Sequence, residues 1–295
     1  MKNTKFPRIA IIISYVIGIA LAIWRAFILK SYYNFETTGF TVEADSGLAD
    51  MRFILFVLAA VVLIVTFFFN KKIKDNELYG KDYLSVSRYT QVERIVSTVV
   101  AALIQAAVIA ILINIKDAIK LNTAIAKLPT ISFVFSLSVI LTVIFAEASA
   151  VTAVIRTVTK KAAEASSCIF PILTAISAAI CNQMNPYFTL RNSNRILINV
   201  AIVCIVLCSL FDMRTRIGRG SYALHLGFGC FATIVGVAAY LPELIFIVIG
   251  KMSINVTEAC DMVMMIVLAC ELITMWRMTA IGKDAGTVVD PQEDK

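Results

Sequence analysis

Stretches of about twenty nearly uncharged residues recur eight times along this chain, and no other feature constrains its fold as strongly. A helix of that length just crosses a hydrocarbon layer of about 30 Å. Inside lipid every backbone amide needs an internal partner, so runs of this length must be helical. We therefore predict an all-α, polytopic transmembrane bundle of about eight spans. The predicted spans are 8–29, 52–70, 94–115, 131–155, 167–184, 196–212, 222–241 and 255–276.

The composition also indicates a membrane environment. Hydrophobic residues make up 59% of the 295 residues and charged residues only 16%, whereas a soluble domain carries about 25% charged residues. So few charged groups cannot cover a surface that faces water, but they suffice where the lipid bilayer is the solvent. We expect an integral protein of the plasma (cytoplasmic) membrane. It would have a single transmembrane domain over 1–277 and a disordered cytoplasmic tail over 278–295.

The end of the seventh span leaves two alternatives open. The residues that follow it, 241–250, are apolar and include Pro242. A proline inside a helix removes one backbone hydrogen bond and kinks the helix. The segment therefore either extends the seventh helix beyond a kink or re-enters the membrane, and the count of eight holds in both cases.

The distribution of basic residues predicts the orientation of the bundle. Lys and Arg in short loops are retained on the cytoplasmic side. With eight spans and a cytoplasmic N-terminus, eighteen of the 27 basic residues fall inside. Both termini are therefore expected in the cytoplasm. The exception is the third-to-fourth connection, where Lys116 and Lys120 indicate an amphipathic continuation of the third helix along the outer surface.

Neither the net charge nor the cysteines indicate a further ligand. The net charge of +7 follows from the predicted topology, because anionic lipids attract basic residues at the membrane surface. No basic helix or aromatic-basic groove indicates a nucleic-acid partner. All seven cysteines lie between Cys168 and Cys270, within or at the ends of predicted spans. We expect buried free thiols, and no disulfide, metal or cofactor.

Glu147 is the clearest candidate for a functional group inside the membrane, because an ionisable residue within a span is costly and often functional. It lies near the middle of the fourth span, beside a stripe of small residues that allows close helix packing. A matching face on the third span is formed by Ala102, Ala106 and Ala110. Gln105 lies next to that face, and we expect it to hydrogen-bond with Glu147. The pair is either structural or part of a titrating, substrate-contacting site.

A second candidate pair is His225 and Glu271, near the cytoplasmic ends of the seventh and eighth spans. His225 is the only histidine of the chain, and a histidine next to a carboxylate can act as a proton switch. The alternative is a hydrogen-bonded anchor, with Glu271 paired to a basic residue such as Arg277.

A third group consists of Glu243, Glu258 and Asp261, near the outer ends of the seventh and eighth spans. Carboxylates in the first turn of a helix are favoured by the helix dipole, so Glu258 and Asp261 can be purely structural. The alternative is an outer vestibule that attracts cations. Arg25, near the outer end of the first span, could then supply a counter-charge.

Motifs of several membrane-linked enzymes are absent from the sequence. There is no H-E-x-x-H zinc motif, no G-x-S-x-G nucleophile and no G-x-x-x-x-G-K-[S/T] phosphate loop. We therefore expect that the protein is not an enzyme. The sequence favours transport of a small solute, alone or coupled to protons. The alternatives are an accessory or assembly subunit with protein partners or a second copy of the chain, and, third, an intramembrane enzyme.

Overall fold

The computed structural model describes residues 5–34, 39–40, 44–70, 91–125, 129–159, 168–184, 193–216, 221–251, 254, 256, 259–269 and 275–276. This part of the chain is almost entirely helical. The helices are α1 (Lys5–Tyr32), α2 (Ala44–Asn70), α3 (Gln91–Ile125), α4 (Pro129–Thr159), α5 (Ile169–Met184), α6 (Ser193–Arg216), α7 (Tyr222–Val248) and α8 (Ala259–Ala269). Between α1 and α2, the two-residue strands β1 (Tyr33–Asn34) and β2 (Gly39–Phe40) pair antiparallel.

The predicted all-α transmembrane architecture is confirmed, with one helix at each of the eight predicted positions. Among the described residues, six helices are long and apolar enough to cross a membrane: α1, α2, α3, α4, α6 and α7. The other two, α5 and α8, are shorter apolar helices. Because a full crossing takes about 20 residues, these two do not reach the length of a span within the described part.

Several helices extend beyond their predicted spans, and α2, α3 and α7 extend furthest at a single end. Helix α3 continues through Lys116 and Lys120 to Ile125, so the predicted continuation of this helix is confirmed. Its 35 residues correspond to about 52 Å at the helical rise, more than the hydrocarbon layer requires. Helix α7 continues through Pro242 to Val248 and ends in a turn at Gly250, whose φ is 72°. The segment 241–250 is therefore an extension of the seventh helix rather than a re-entrant loop.

Helix α7 lies at the centre of the bundle. It packs against α1, α2 and α6, and the row of neighbours continues from α6 to α5, α4 and α3. In its membrane-crossing part 67% of the residues are buried within the protein, against 28% for α4. The core therefore lies around α7, whereas a smaller share of the residues of α2, α3 and α4 is buried.

Small residues permit the closest helix contacts around α7. A Cβ atom at Gly18 of α1 would lie 3.0 Å from the Cβ of Val237 and 3.3 Å from the carbonyl oxygen of Thr233. A Cβ at Gly236 would lie 2.8 Å from the Leu268 side chain of α8. Glycine at such contacts lets helix backbones approach closely, which is how helices gain packing energy in a membrane.

The two chain ends of the helical bundle meet. The guanidinium of Arg8, in the first turn of α1, lies 5.6 Å from the ring centroid of Trp276, which follows α8. The N-terminal end of α1 and the C-terminal end of the bundle therefore lie at the same end of the protein. An even number of crossings requires this arrangement. We refer to it as the chain-terminus end, and the loop charges predict that it is cytoplasmic.

Candidate functional site

A buried arginine at the opposite end of the bundle compensates for the proline of α7. Because Pro242 has no N–H group, the carbonyl of Ala238 loses its partner within the helix. The Nη1 atom of Arg25 donates a hydrogen bond to the Ala238 oxygen at 3.0 Å, and a second one to the Ala239 oxygen. A carbonyl without a partner inside a membrane costs several kcal/mol. The guanidinium therefore replaces the backbone bond that the proline removes.

The same guanidinium forms an ion pair with Glu243. Its Nη2 atom donates to the Oε1 atom of Glu243 at 2.7 Å. Arg25 is fully buried, and Glu243 is 8% exposed. An arginine suits this position because its planar fork presents several donors in fixed directions. The counter-charge that the sequence suggested for this end of the protein is present.

Asp261 is held by a neighbouring helix rather than only by the dipole of its own. It is the third residue of α8, and its Oδ1 atom accepts a hydrogen bond of 2.9 Å from the Nδ2 atom of Asn182, near the end of α5. Both side chains are buried. Asn182 was not among the residues singled out from the sequence. The sequence feature that could have identified Asn182 is its position in the last turn of α5, at the same depth as Asp261.

The two carboxylates, Glu243 and Asp261, line a cleft between α7 and α8. The cleft is lined by Tyr240, Glu243 and Asp261, with four apolar side chains from the same two helices. It is partly open and small, with a cavity volume of about 10 Å³. Arg25, Asn182, Tyr240, Glu243 and Asp261 thus form one group, which we call the Arg25 cluster.

The structure thus brings together two of the three predicted vestibule residues. Glu243 and Asp261 line one cleft, while Glu258 lies outside the described residues. Tyr240 was missed by sequence reasoning, because one buried tyrosine in an apolar helix carries no distinctive signal. Among the described residues, no group of three or more His, Cys, Asp and Glu side chains could hold a metal ion.

The expected hydrogen bond between Gln105 and Glu147 is present. The Nε2 atom of Gln105 donates to the Oε2 atom of Glu147 at 2.5 Å, and both side chains are half-buried. The predicted face of α3 is wrong, because Ala102 and Ala106 are exposed and Ala110 is only half-buried. Both small and larger apolar residues of the neighbouring face are buried instead, since van der Waals packing rather than residue size alone orients helices in lipid. The buried residues of α3 include Ala101, Ile104, Ala107, Val108 and Ile111.

At the chain-terminus end, His225 is fully buried in the first turn of α7. The Cys208 thiol lies 3.8 Å from the His225 carbonyl oxygen, and the Cys168 thiol lies 3.4 Å from the Oδ2 atom of Asp212. Glu271 lies outside the described residues, so the pairing of His225 with Glu271 stays a prediction.

The described cysteines agree with the expectation of free, buried thiols. Six of the seven are buried and form no disulfide within the described part of the chain: Cys168, Cys181, Cys204, Cys208, Cys230 and Cys260. Cys270 lies outside the described residues.

Most hydroxyl groups of the bundle are satisfied within their own helix. Ser14, Thr142, Thr174 and Thr233 each donate to the carbonyl oxygen four residues earlier. Such local bonds satisfy a hydroxyl without recruiting another helix. They distinguish these residues from Arg25 and Asn182, whose side chains donate to carboxylates on other helices.

Comparison of the chain with family models, with curated proteins and with solved structures finds no match. The function must therefore be inferred from the residues of this chain.

Proposed function

We propose that this membrane protein transports a small cation, alone or together with a small solute. The observation that supports the proposal is the Arg25 cluster, in which two carboxylates from α7 and α8 line a partly open cleft and are bound by polar side chains from α1 and α5. Ionisable side chains within a membrane protein are costly, and where they line a cavity they commonly mark an ion pathway.

The arrangement of the helices suits such a role. Helix α7 carries Glu243 immediately after Pro242, so the carboxylate lies beside the one backbone hydrogen bond that this continuous helix lacks. Arg25 of α1 connects this position to the central packing of the bundle, so movement of α1 against α7 would change the cleft. Part of the proposal is that the chain is not an enzyme.

Flux through purified protein in lipid vesicles tests the proposal. Vesicles containing the wild-type protein should dissipate an imposed Na⁺, K⁺ or H⁺ gradient faster than empty vesicles, followed with ion-sensitive dyes. Asp261→Asn should slow this flux, because it removes a charge that lines the cleft. Asp117→Asn, which alters an exposed carboxylate of α3, is the matched control and should leave the flux unchanged. Wild-type vesicles no leakier than empty ones to all three ions would overturn transport.

A second candidate function is supported by the α3–α4 pair. About a third or less of the residues in their apolar segments is buried, and Glu147, which is half-buried, lies in the apolar segment Pro129–Ile155. A carboxylate only half covered in such a segment would be better shielded by a further helix, which fits an accessory or assembly subunit. A stoichiometric complex that survives size-exclusion chromatography and is lost on Ile144→Lys, at an exposed position of α4, would favour this function over transport.

A further inference from the structure

The cleft between α7 and α8 presents three oxygen-bearing side chains to one space. Asp261 and Glu243 contribute carboxylates, and Tyr240 contributes a phenol. Their exposed fractions are 5%, 8% and 2%, so all three are buried. Hard cations prefer oxygen ligands, both anionic carboxylates and neutral oxygens such as that of a phenol. The chemistry of the lining therefore suits a hard cation rather than an anion or a soft metal ion.

The Tyr240 hydroxyl is an observation independent of the two carboxylates. Within the described part of the chain it has no hydrogen-bond partner, although it is buried. Buried polar groups in native proteins nearly always have one, so an exception calls for an explanation such as a missing ion or water. Because Tyr240 lines the cleft, a cation there would be coordinated by the phenol oxygen.

The charge of the cluster favours a monovalent ion. The guanidinium of Arg25 is bound to Glu243 at 2.7 Å, so its positive charge lies next to the cleft. With the carboxylates of Glu243 and Asp261 and this one guanidinium, the formal net charge of the cluster is −1, which a single monovalent cation neutralises. Two carboxylates also fall short of the six to eight oxygen ligands that calcium usually collects. The cleft is small, which excludes a large organic cation.

We propose that the cleft binds one small monovalent cation of the sodium type through the carboxylates of Asp261 and Glu243 and the hydroxyl of Tyr240. This rests on the transport proposal and deepens it, because it names the ion and the residues that hold it. The Tyr240 hydroxyl acts as a neutral ligand. Arg25 and Asn182 position the two carboxylates and do not contact the ion.

Thermal unfolding of the purified protein in detergent tests the site. The midpoint is measured at fixed pH and constant ionic strength while choline chloride is replaced stepwise by NaCl. A ligand that binds only the folded state raises the midpoint as its concentration rises, so Na⁺ should stabilise the wild type. Tyr240→Phe keeps the ring and removes one oxygen ligand. It should fold in choline chloride and need about tenfold more Na⁺ for the same rise, as expected for the loss of one good contact.

Tyr222→Phe provides a matched control, because Tyr222 is a buried tyrosine in the first turn of the same helix, at the opposite end. Its response to Na⁺ should equal that of the wild type even if its basal midpoint changes. Asp261→Asn should lose the stabilisation by Na⁺. If Asp261→Asn does not fold, Tyr240→Phe still tests the site.

Four outcomes would overturn the site. The first is a wild-type midpoint that does not change with Na⁺, and the second is the same Na⁺ response in Tyr240→Phe and Asp261→Asn as in the wild type. The third is stabilisation by Ca²⁺ or Mg²⁺ at lower concentrations than Na⁺. The fourth, from a repeat of the titration at other pH values, is a midpoint that changes with pH but not with Na⁺. The vesicle assay separates this failure from failure of the transport proposal. If Na⁺ binds but no flux is seen, the transport proposal is overturned and the binding site stands. If flux is seen but Na⁺ binding does not depend on the cleft residues, the binding site is overturned and the transport proposal stands.

Discussion

Two carboxylate–amide pairs link helices in this protein, and they lie in very different surroundings. Asn182 donates to Asp261 at 2.9 Å in the buried Arg25 cluster, where α5 meets α8. Gln105 donates to Glu147 at 2.5 Å between α3 and α4, where both side chains are half-buried. The chemical groups are the same, so the difference between the pairs is one of environment.

The comparison teaches that the interior of this protein is not distributed evenly over its helices. The residues around α7 are enclosed by several other helices, whereas α3 and α4 are largely surrounded by lipid. A polar contact in an enclosed site loses all its alternatives when one partner is removed, whereas a half-exposed group can reorient or reach interfacial water. Perturbations should therefore be costly around α7 and mild at α3 and α4.

The largest expected effect is that of Arg25→Met. This change removes the guanidinium from Glu243 and the donor from the Ala238 carbonyl. Breaking a buried ion pair from one side costs about 3–5 kcal/mol, and the free energy of unfolding in mixed micelles should fall by that amount. The matched control, Lys30→Met, removes an exposed cation from the same helix and should stay within about 0.5 kcal/mol. Equal stability of the two variants would contradict the importance of the cluster.

The next effect is expected from Gly18→Val, which forces side-chain atoms into the contact between α1 and α7. The Cβ alone would lie 3.0 Å from Val237 and 3.3 Å from a backbone oxygen. Overpacking of a tight core costs about 1–3 kcal/mol, measurable by the same titration. Ala102→Val, at an exposed position of α3, makes a small-to-large change and should be nearly neutral. A comparable loss in both variants would mean that α3 is as enclosed as α7.

A smaller effect is the coupling energy between Asn182 and Asp261. A double-mutant cycle with Asn182→Leu and Asp261→Leu isolates this term. Hydrogen bonds between membrane helices contribute about 0.6 kcal/mol on average and up to about 1.7 kcal/mol. Because this pair is buried, we expect a value of about 1.5 kcal/mol, near the upper limit. A coupling energy close to zero would show that the hydrogen bond makes no net contribution there.

The smallest effect should come from the corresponding cycle at Gln105 and Glu147. With both side chains half-buried, the expected coupling is about 0.6 kcal/mol or less, measured with Gln105→Leu and Glu147→Leu. Glu147→Gln should cost still less, because an amide can accept the same hydrogen bond. If the coupling exceeded that of Asn182 and Asp261, an additional partner or a second copy of the chain would have to enclose Glu147.

How far the site could be predicted depended on separation along the chain. The Gln105–Glu147 bond was predicted because α3 and α4 are consecutive helices and both residues lie near the middle. The Asn182–Asp261 bond was missed, because it joins residues 79 positions apart whose helices are not consecutive. The role of Arg25 was foreseen only as a possible counter-charge. Its bond to the Ala238 carbonyl depends on the direct packing of α1 against α7.

The sequence by itself determined the helices, their approximate bounds and the membrane environment. The reason is that lipid leaves the backbone no alternative to internal hydrogen bonds, so apolar length alone specifies a helix. The tertiary structure alone decided which face of each helix is buried, as the misassigned alanines of α3 show. Lipid tails are as apolar as the side chains, so hydrophobicity does not select a face. Close packing and hydrogen bonds between helices make that choice, and they assembled the Arg25 cluster.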